Sequence, residues 1–97
     1  MPSSLHSPAY QVFRQLVVNA RHQAHLRQVD LAERLGKPQS YVSKYERGER
    51  RLDFTEFMAV AAALNLDVHE FVALYNQRVA AFLHISDPCS PMPEIPH

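Results

Sequence analysis

The sequence predicts an all-α fold, a compact bundle of five helices. Three observations support this prediction. Apolar residues recur at helical spacing in five successive segments, no segment shows the alternation typical of a β-strand, and each of the two glycines follows a predicted helix. With 97 residues, of which 46% are apolar, the chain has enough apolar side chains for one small core. We therefore expect a single helical domain.

The first helix is predicted over residues 8–25. Ser7 and Pro8 supply a cap and a first-turn residue, since proline needs no hydrogen-bond donor at that position. Residues 1–7 are expected to form a flexible arm that leads into this helix. Its apolar stripe consists of Val12, Phe13, Leu16, Val17 and Ala20.

Residues 28–47 contain two short predicted helices separated by a turn at Gly36. Glycine ends the first of them, residues 28–35, because it tolerates a positive φ. The second covers residues 38–47. The buried positions of the two helices are Leu31, Ala32, Leu35, Val42 and Tyr45.

The outward face of the second short helix is polar. Side chains of this kind can hydrogen-bond base edges and phosphates in the major groove of DNA. Two short helices joined by a tight turn, with a polar face on the second, form a helix-turn-helix, which is typical of sequence-specific DNA binding. The polar residues of that face are Gln39, Ser40, Ser43 and Lys44.

Two further helices are predicted after this motif. Asp53 followed by Glu56 is the pattern of a capping box, and it predicts a fourth helix that ends at Leu64, before Asn65. The fifth helix, residues 67–83, opens with the same order of aspartate and glutamate.

The fifth helix carries apolar residues on two faces. One face can close the core, and the other would be exposed in a monomer, which usually marks an interface. We predict a symmetric homodimer through this helix; the alternative is that the segment folds back over the first helix of its own chain. The predicted interface residues are Tyr75, Val79, Phe82 and Leu83. Residues 85–97, with four prolines and no apolar period, are expected to form a disordered tail.

The charge of the chain is unevenly distributed, although its net charge is zero. Residues 14–51 carry nine basic and four acidic side chains, a net charge of +5, and the remaining residues carry −5. A chain polarised in this way can present a positive face to phosphates. Beside a helix-turn-helix, we interpret this as a DNA-binding face rather than as a merely solvated surface.

Other classes of function find no support in the sequence. No run of about eighteen apolar residues indicates a transmembrane helix, and the N-terminus lacks the pattern of a secretory signal. The single cysteine, Cys89, cannot form an internal disulfide, which fits a reducing cytoplasm. No catalytic triad pattern or phosphate-binding loop is present, and His22 and His25 lack further ligands at metal-binding spacing. We therefore expect no enzyme, no metal or cofactor, and no membrane partner.

A specific series of residues runs through the motif: Gln28, Leu31, Ala32, Gly36, Gln39, Ser40, Val42, Tyr45, Glu46, Arg47 and Gly48. In this order and spacing, residues 13–71 resemble the Cro/repressor (Xre-like) family of bacterial and phage regulators. The resemblance implies a five-helix bundle in which the third helix is the recognition helix and a dimer binds operator DNA. At Pro38 the chain departs from the family, whose members usually have Ser or Thr there to cap the recognition helix.

The resemblance also implies roles for individual residues. Gln28 lies at the DNA backbone and supports Gln39, which reaches bases; glutamine pairs well with the N6/N7 edge of adenine. Arg21 and Glu46 correspond to a structural ion pair between the first and third helices. The predicted DNA-binding residues are Gln28, Gln39, Ser40, Tyr41, Ser43, Lys44, Arg47, Arg50 and Arg51.

Several of these assignments have alternatives. Gln28 and Gln39 either approach DNA or are ordinary surface glutamines, and Lys44 contacts either a guanine or a phosphate. Tyr41 either packs on a sugar or a thymine methyl group, or it covers the loop. Arg50 and Arg51 either contact phosphate, as is expected of Arg47, or belong to a solvated loop.

The sequence thus predicts a sequence-specific transcriptional regulator that acts in the cytoplasm, in association with the nucleoid. Its expected partners are double-stranded DNA and a second copy of the chain. The same domain also serves antitoxins, which have a toxin partner, and restriction–modification controllers. An alternative from another class is a protein-interaction module that keeps the fold without DNA binding, because the net charge is neutral and serines stand where stronger base readers could.

Overall fold

This computed structural model describes residues 7–84, with side chains up to Ala81. The described residues contain five α-helices. They are α1 (Pro8–Gln23), α2 (Gln28–Leu35), α3 (Gln39–Glu46), α4 (Phe54–Leu64) and α5 (Val68–His84). No strand occurs in residues 7–84, and the predicted all-α, five-helix fold is confirmed. The predicted arm before Ser7 and the predicted tail after residue 84 lie outside the described residues.

Three helices begin at side chains that the sequence marks as caps. Ser7 Oγ accepts a hydrogen bond of 3.1 Å from a backbone N–H in the first turn of α1. Asp53 and Glu56 form the predicted capping box of α4, in which each carboxylate accepts from the other residue's backbone N–H, at 2.8 and 2.9 Å. Asp67 accepts from the backbone N–H of Glu70 at 3.1 Å. These bonds satisfy N–H groups that a helix start leaves without a partner.

Helix α3 begins without a side-chain cap. Pro38 occupies the N-cap position with φ −69° and ψ 155°; its backbone carbonyl accepts from the N–H of Tyr41 at 3.0 Å, but its side chain offers no acceptor to the helix. The predicted start at Pro38 was therefore wrong by one residue, because an extended ψ places Pro38 outside the helix. The helix ends at Glu46, one residue before the predicted end.

Helix α1 ends at Gln23, two residues before its predicted end. His25 has φ +61°, a left-handed conformation that lies outside an α-helix. The backbone N–H of Leu26 donates to the carbonyl of Arg21 at 3.3 Å and closes the turn. Because no glycine marks this turn, the residue pattern did not reveal it. Gly36 and Asn65, in contrast, end α2 and α4 with φ +68° and +59°, as predicted.

The core receives apolar residues from all five helices. Ala32 is buried where α2 packs on α3, and its small side chain allows the two helices to approach closely. The rings of Phe13, Phe57 and Phe71 join α1, α4 and α5, with centroids 4.9 to 5.9 Å apart. Full burial of an apolar side chain of this size contributes about 1.5–3 kcal/mol. The buried cluster consists of Leu16, Val17, Leu31, Ala32, Val42, Tyr45, Leu52, Phe57, Val60, Ala61, Leu64 and Phe71.

None of the five helices in residues 7–84 is by itself long and apolar enough to cross a membrane. Helices α4 and α5 meet the requirements of length and composition only as a pair, and that pair is bent by 119°.

Candidate nucleic-acid interface

The two faces of α3 differ in chemistry. Val42 and Tyr45 are 0% and 1% exposed and anchor the helix to the core. The predicted DNA-binding residues of this helix are exposed or half-buried: Gln39, Ser40, Tyr41, Ser43 and Lys44. A helix of this kind can enter the major groove with its polar face while its apolar face holds it on the domain.

Arg21 and Glu46 form a buried ion pair at the end of α3. Their residues are 8% and 7% exposed, and the guanidinium donates to both carboxylate oxygens, Nε to Oε2 at 2.7 Å and Nη2 to Oε1 at 2.9 Å. Arg21 Nη1 also donates to the carbonyl of Leu26 at 2.8 Å. The pair thus joins the end of α1, the turn before α2 and the end of α3, and it fixes their orientation.

A chain of hydrogen bonds leads from this pair to the surface. Gln28 Nε2 donates to Glu46 Oε1 at 2.8 Å, and Gln39 Nε2 donates to Gln28 Oε1 at 2.7 Å. A carboxylate can only accept, so Gln28 must turn its NH₂ group toward Glu46 and its oxygen toward Gln39. Gln39 must then donate to that oxygen. The charge of Glu46 therefore sets the direction in which both amides point.

Arg47 directly follows the last residue of α3 and forms an ion pair with Glu49. Its Nε and Nη2 donate to the two carboxylate oxygens, both at 2.9 Å, and Nη1 donates to Ser43 Oγ. The side chains of the pair are 55% and 53% exposed. Hydrogen bonding to Arg47 lowers the pKa of Glu49, and the charge of Lys44 adds to that effect.

Arg50 is held on two sides. It donates to both oxygens of Glu56, at 2.7 and 3.2 Å, and its guanidinium lies 4.8 Å from the centroid of the Tyr41 ring. Hydrogen bonding to Arg50 lowers the pKa of Glu56, with a further contribution from the backbone N–H of Asp53. Arg50 therefore joins the loop after α3 to the start of α4.

Tyr41 lies against this loop. Its ring meets the Tyr45 ring edge-on, with centroids 5.7 Å apart, and the Lys37 ammonium lies 5.3 Å from its centroid. Burial raises the pKa of Tyr41, and the charge of Glu56 acts in the same direction. The contact with Arg50 is the one expected if Tyr41 covers the loop.

Arg51 is exposed, and its guanidinium lies 4.7 Å from the centroid of the Tyr10 ring. Tyr10 is buried and accepts a hydrogen bond of 3.0 Å from the backbone N–H of Leu52. The three arginines that were predicted to contact phosphate thus all have contacts within the chain: Arg47 and Arg50 pair with carboxylates, and Arg51 lies over an aromatic ring.

Two further arginines connect helices, and the sequence did not reveal either contact. Arg14 donates to the backbone carbonyl of Glu46 and to Gln11 Oε1, and so ties α1 to the end of α3. Arg34 donates to the carbonyl of Ala63 at 2.8 Å, which ties α2 to α4. A bond from a long side chain to a distant carbonyl leaves no periodic mark in a sequence, because every residue except proline offers the same backbone groups.

The predicted dimer residues are described only in part. Tyr75 packs against the core and is half-buried, and Val79 is half-buried. The side chains of Phe82 and Leu83 lie outside the described residues. Potential metal ligands do not gather in groups of three or more anywhere in the described residues.

The chain matches one family model and resembles two solved structures. A family model described as helix-turn-helix matches residues 19–71, more than half of the chain. The structure of an XRE-family like protein from Pseudomonas syringae pv. tomato str. DC3000 is 39% identical in sequence, with a TM-score of 0.71, and the match covers 77% of this chain and 92% of that one.

A mutant of the restriction-modification controller protein C.Esp1396I has a similar fold, with a TM-score of 0.67 at 20% identity. That match covers 81% of this chain and 95% of the controller. No curated protein matches the chain.

Proposed function

Because the chain belongs to the Xre-like helix-turn-helix family of DNA-binding regulators, we propose that it recognises operator DNA in a sequence-specific manner and controls transcription there. In this proposal α3 is the recognition helix, and a homodimer is the species that binds. Bound at a promoter in the cytoplasmic nucleoid, it either blocks or recruits the transcription machinery.

The observation that supports the proposal most strongly is the hydrogen-bonded chain from Arg21 through Glu46 and Gln28 to Gln39. Gln39 donates one N–H to Gln28, which leaves its Oε1 and its second N–H for a ligand. In the major groove adenine presents an acceptor, N7, beside a donor, N6, whereas guanine presents two acceptors. We therefore expect Gln39 to read adenine in preference to guanine.

Basic side chains beside α3 supply the phosphate contacts of this proposal. Lys44 is exposed, and the pair between Arg47 and Glu49 is exposed on both sides. Exposed ion pairs contribute little to stability, so a phosphate can replace Glu49 at small cost. Arg50 is more firmly held, because Glu56 binds it through two hydrogen bonds and Tyr41 stacks against it.

The other members of the proposed interface are Ser40, Ser43 and Arg51. The short serine side chains permit close approach to the groove, and their hydroxyls bond either to bases or to phosphates. Arg51 is positioned over Tyr10 by a cation–π contact, with its guanidinium exposed.

A homodimer through α5 is part of the proposal. One helix-turn-helix contacts too little DNA for tight specific binding, and two-fold pairing doubles the contact surface. Tyr75 and Val79 offer apolar surface on α5, and the interface predicted from the sequence also includes Phe82 and Leu83. The recognition helices of such a dimer serve half-sites about 34 Å apart, one turn of DNA.

Titration of a labelled non-specific duplex at several salt concentrations tests DNA binding itself. We expect affinity to fall steeply between about 50 and 200 mM salt, because each phosphate contact releases condensed counterions. Arg47→Ala and Arg51→Ala should each reduce the slope of log affinity against log salt by about one. Arg50→Ala should reduce it less, since Arg50 is bound to Glu56.

The matched control is Arg78→Ala, which removes the only basic residue outside residues 14–51. Its slope should equal that of the wild type. Binding that is absent, or that does not respond to salt, would contradict the proposal and support a protein-interaction module instead.

A further inference from the structure

An apolar groove runs between the start of α1, the start of α4 and the first half of α5. Its volume is about 390 Å³, and the rings of Tyr10, Phe13, Phe57 and Phe71 line it. This is ample for an aromatic or a branched side chain. It lies apart from the outward residues of α3, none of which lines it, and Arg51 is the one residue of the proposed DNA interface on its lining.

Two exposed apolar side chains stand at this groove. Phe54 lines it and is 72% exposed, the highest value among the large apolar residues that the structure describes as exposed. Val72 lines it from α5 and is 46% exposed. A large exposed apolar side chain beside an apolar hollow usually marks a protein contact.

The groove is continuous with the predicted dimer stripe of α5. Val68, Val72, Tyr75 and Val79 are spaced by four, three and four residues, so they lie along one face of the helix. The first three line the groove, and Val79 continues the stripe toward the end of the helix. A protein surface that covers the groove would therefore also cover the stripe on α5.

The charges on the groove indicate what covers it. Arg51 and Asp53 both line it, so it carries one cation and one anion two residues apart. The two charges cancel, so a second copy of the same surface meets no net repulsion there. A strongly acidic or basic partner would gain from only one of them.

A second groove, on the other side of α5, is less suited to this role. It is lined by Leu74 but also by charged groups of three residues, Asp67, Glu70 and Arg78, and by amide side chains. Charged residues are depleted at the centre of protein interfaces. The first groove is therefore the better candidate for a contact between copies.

We propose that the groove at Phe54 is the docking site of a second copy of this chain, with Phe54 of each chain seated against the groove of the other. The inference rests on the proposed homodimer and extends its interface from α5 to the start of α4. A knob and a hollow on the same face satisfy two-fold symmetry, in which each chain gives and receives the same contact. Aromatic anchors of this type commonly dominate interface energetics.

Sedimentation equilibrium of the full chain tests the proposal. Phe54→Glu and Val72→Glu should each raise the dimer dissociation constant more than about tenfold, because each buries an unpaired carboxylate in an apolar contact. Neither should unfold the monomer: Phe54 is the first residue of α4, where an acidic side chain favours the helix. Circular dichroism of each variant checks this point.

Leu74→Glu is the matched control. Leu74 is an apolar residue of the same helix with 37% exposure, but it faces the second groove. Its dimer should be as tight as that of the wild type. If Leu74→Glu dissociates the dimer and Phe54→Glu does not, the interface lies on the other side of α5 and the proposal is wrong.

The outcomes separate this inference from the proposed function. A wild type that dimerises and is dissociated by Val79→Glu, but not by Phe54→Glu or Val72→Glu, overturns the groove contact and leaves the α5 dimer standing. A wild type that is monomeric at high micromolar concentration overturns both and leaves the groove to another occupant. Loss of the salt-dependent DNA binding, with a normal dimer, overturns only the proposed function.

Discussion

The helix-turn-helix and the helix α5 differ in the kind of surface that they leave exposed. Within the motif, the buried charges of Arg21 and Glu46 are paired at 2.7 Å, and the amides of Gln28 and Gln39 continue the same network to the surface. The polar atoms that remain available point outward on a helix whose other face is anchored in the core.

Among the side chains of α5 that the structure describes, up to Ala81, Phe71 is the one buried in the core, and much of the remaining apolar surface stays in contact with solvent. Val72 and Leu74 are 46% and 37% exposed. The comparison shows that one small domain exposes two kinds of surface, a polar one and an apolar one. The motif exposes polar atoms, to which DNA can hydrogen-bond. Helix α5 exposes apolar atoms, which a second protein surface can cover.

The largest effect is expected where the motif depends on its buried charges. Glu46→Ala leaves the guanidinium of Arg21 buried without a counterion and removes the acceptor of Gln28, and we expect a loss of about 3–5 kcal/mol in the free energy of unfolding. Urea denaturation measures this loss. Lys44→Ala, on the exposed face of the same helix, should stay within about 0.5 kcal/mol of the wild type. Equal stability of the Glu46→Ala variant and the wild type would mean that the pair does not hold the motif together.

A second test compares two buried tyrosine hydroxyls, one in α1 beside the groove that α5 lines and one in α3 of the motif. Tyr10, at the groove, accepts a hydrogen bond from the backbone N–H of Leu52, whereas the hydroxyl of Tyr45 in α3 has no partner among the described residues. Tyr10→Phe should cost about 1–3 kcal/mol, because it leaves a buried N–H unsatisfied. Tyr45→Phe should be neutral or stabilising, since it removes a buried group that makes no bond. Thermal unfolding of the two variants measures these changes in stability. An equal loss of stability in both would contradict the view that only the Tyr10 hydroxyl makes a hydrogen bond.

The smallest effect concerns the link between the motif and α4, the pair of Arg50 and Glu56. Arg50 lowers the pKa of Glu56 below its ordinary value of about 4.5, so the pair stabilises the folded state above that pH and loses its effect as the pH falls through the lowered pKa. Glu56→Gln should therefore be less stable than the wild type at neutral pH, and the difference should disappear in acid. A difference that is the same at pH 7 and in acid would show that charge pairing is not its cause.

Much of the fold was predictable because its signals are local. The capping box of Asp53 and Glu56, the turn at Gly36 and the apolar positions of α3 each depend on residues within one or two helical turns. The end of α1 was not predictable in this way, because His25 adopts its left-handed conformation where no glycine signals it.

The candidate site was predictable in its residues but less so in their contacts. The outward face of α3 follows from helical spacing, whereas the contacts of Arg50 with Glu56 and Tyr41 depend on the path of a loop between two helices. The bonds of Arg14 and Arg34 to backbone carbonyls have no pattern that a sequence could show. The exposure of Phe54 depends likewise on tertiary packing, since the residue follows the helix cap in a segment rich in core residues.

Selection of bound fragments from a pool of random duplexes, with the wild type and Gln39→Ala in parallel, tests the central claim most directly. The account predicts that the wild type enriches a two-fold symmetric site, with an adenine at one position of each half-site and half-sites about one DNA turn apart. Gln39→Ala should enrich the same symmetric arrangement with that adenine preference lost, because α3 then lacks its amide. Failure of the wild type to enrich any sequence, or an unchanged adenine preference in the variant, would contradict the claim that α3 reads DNA through Gln39.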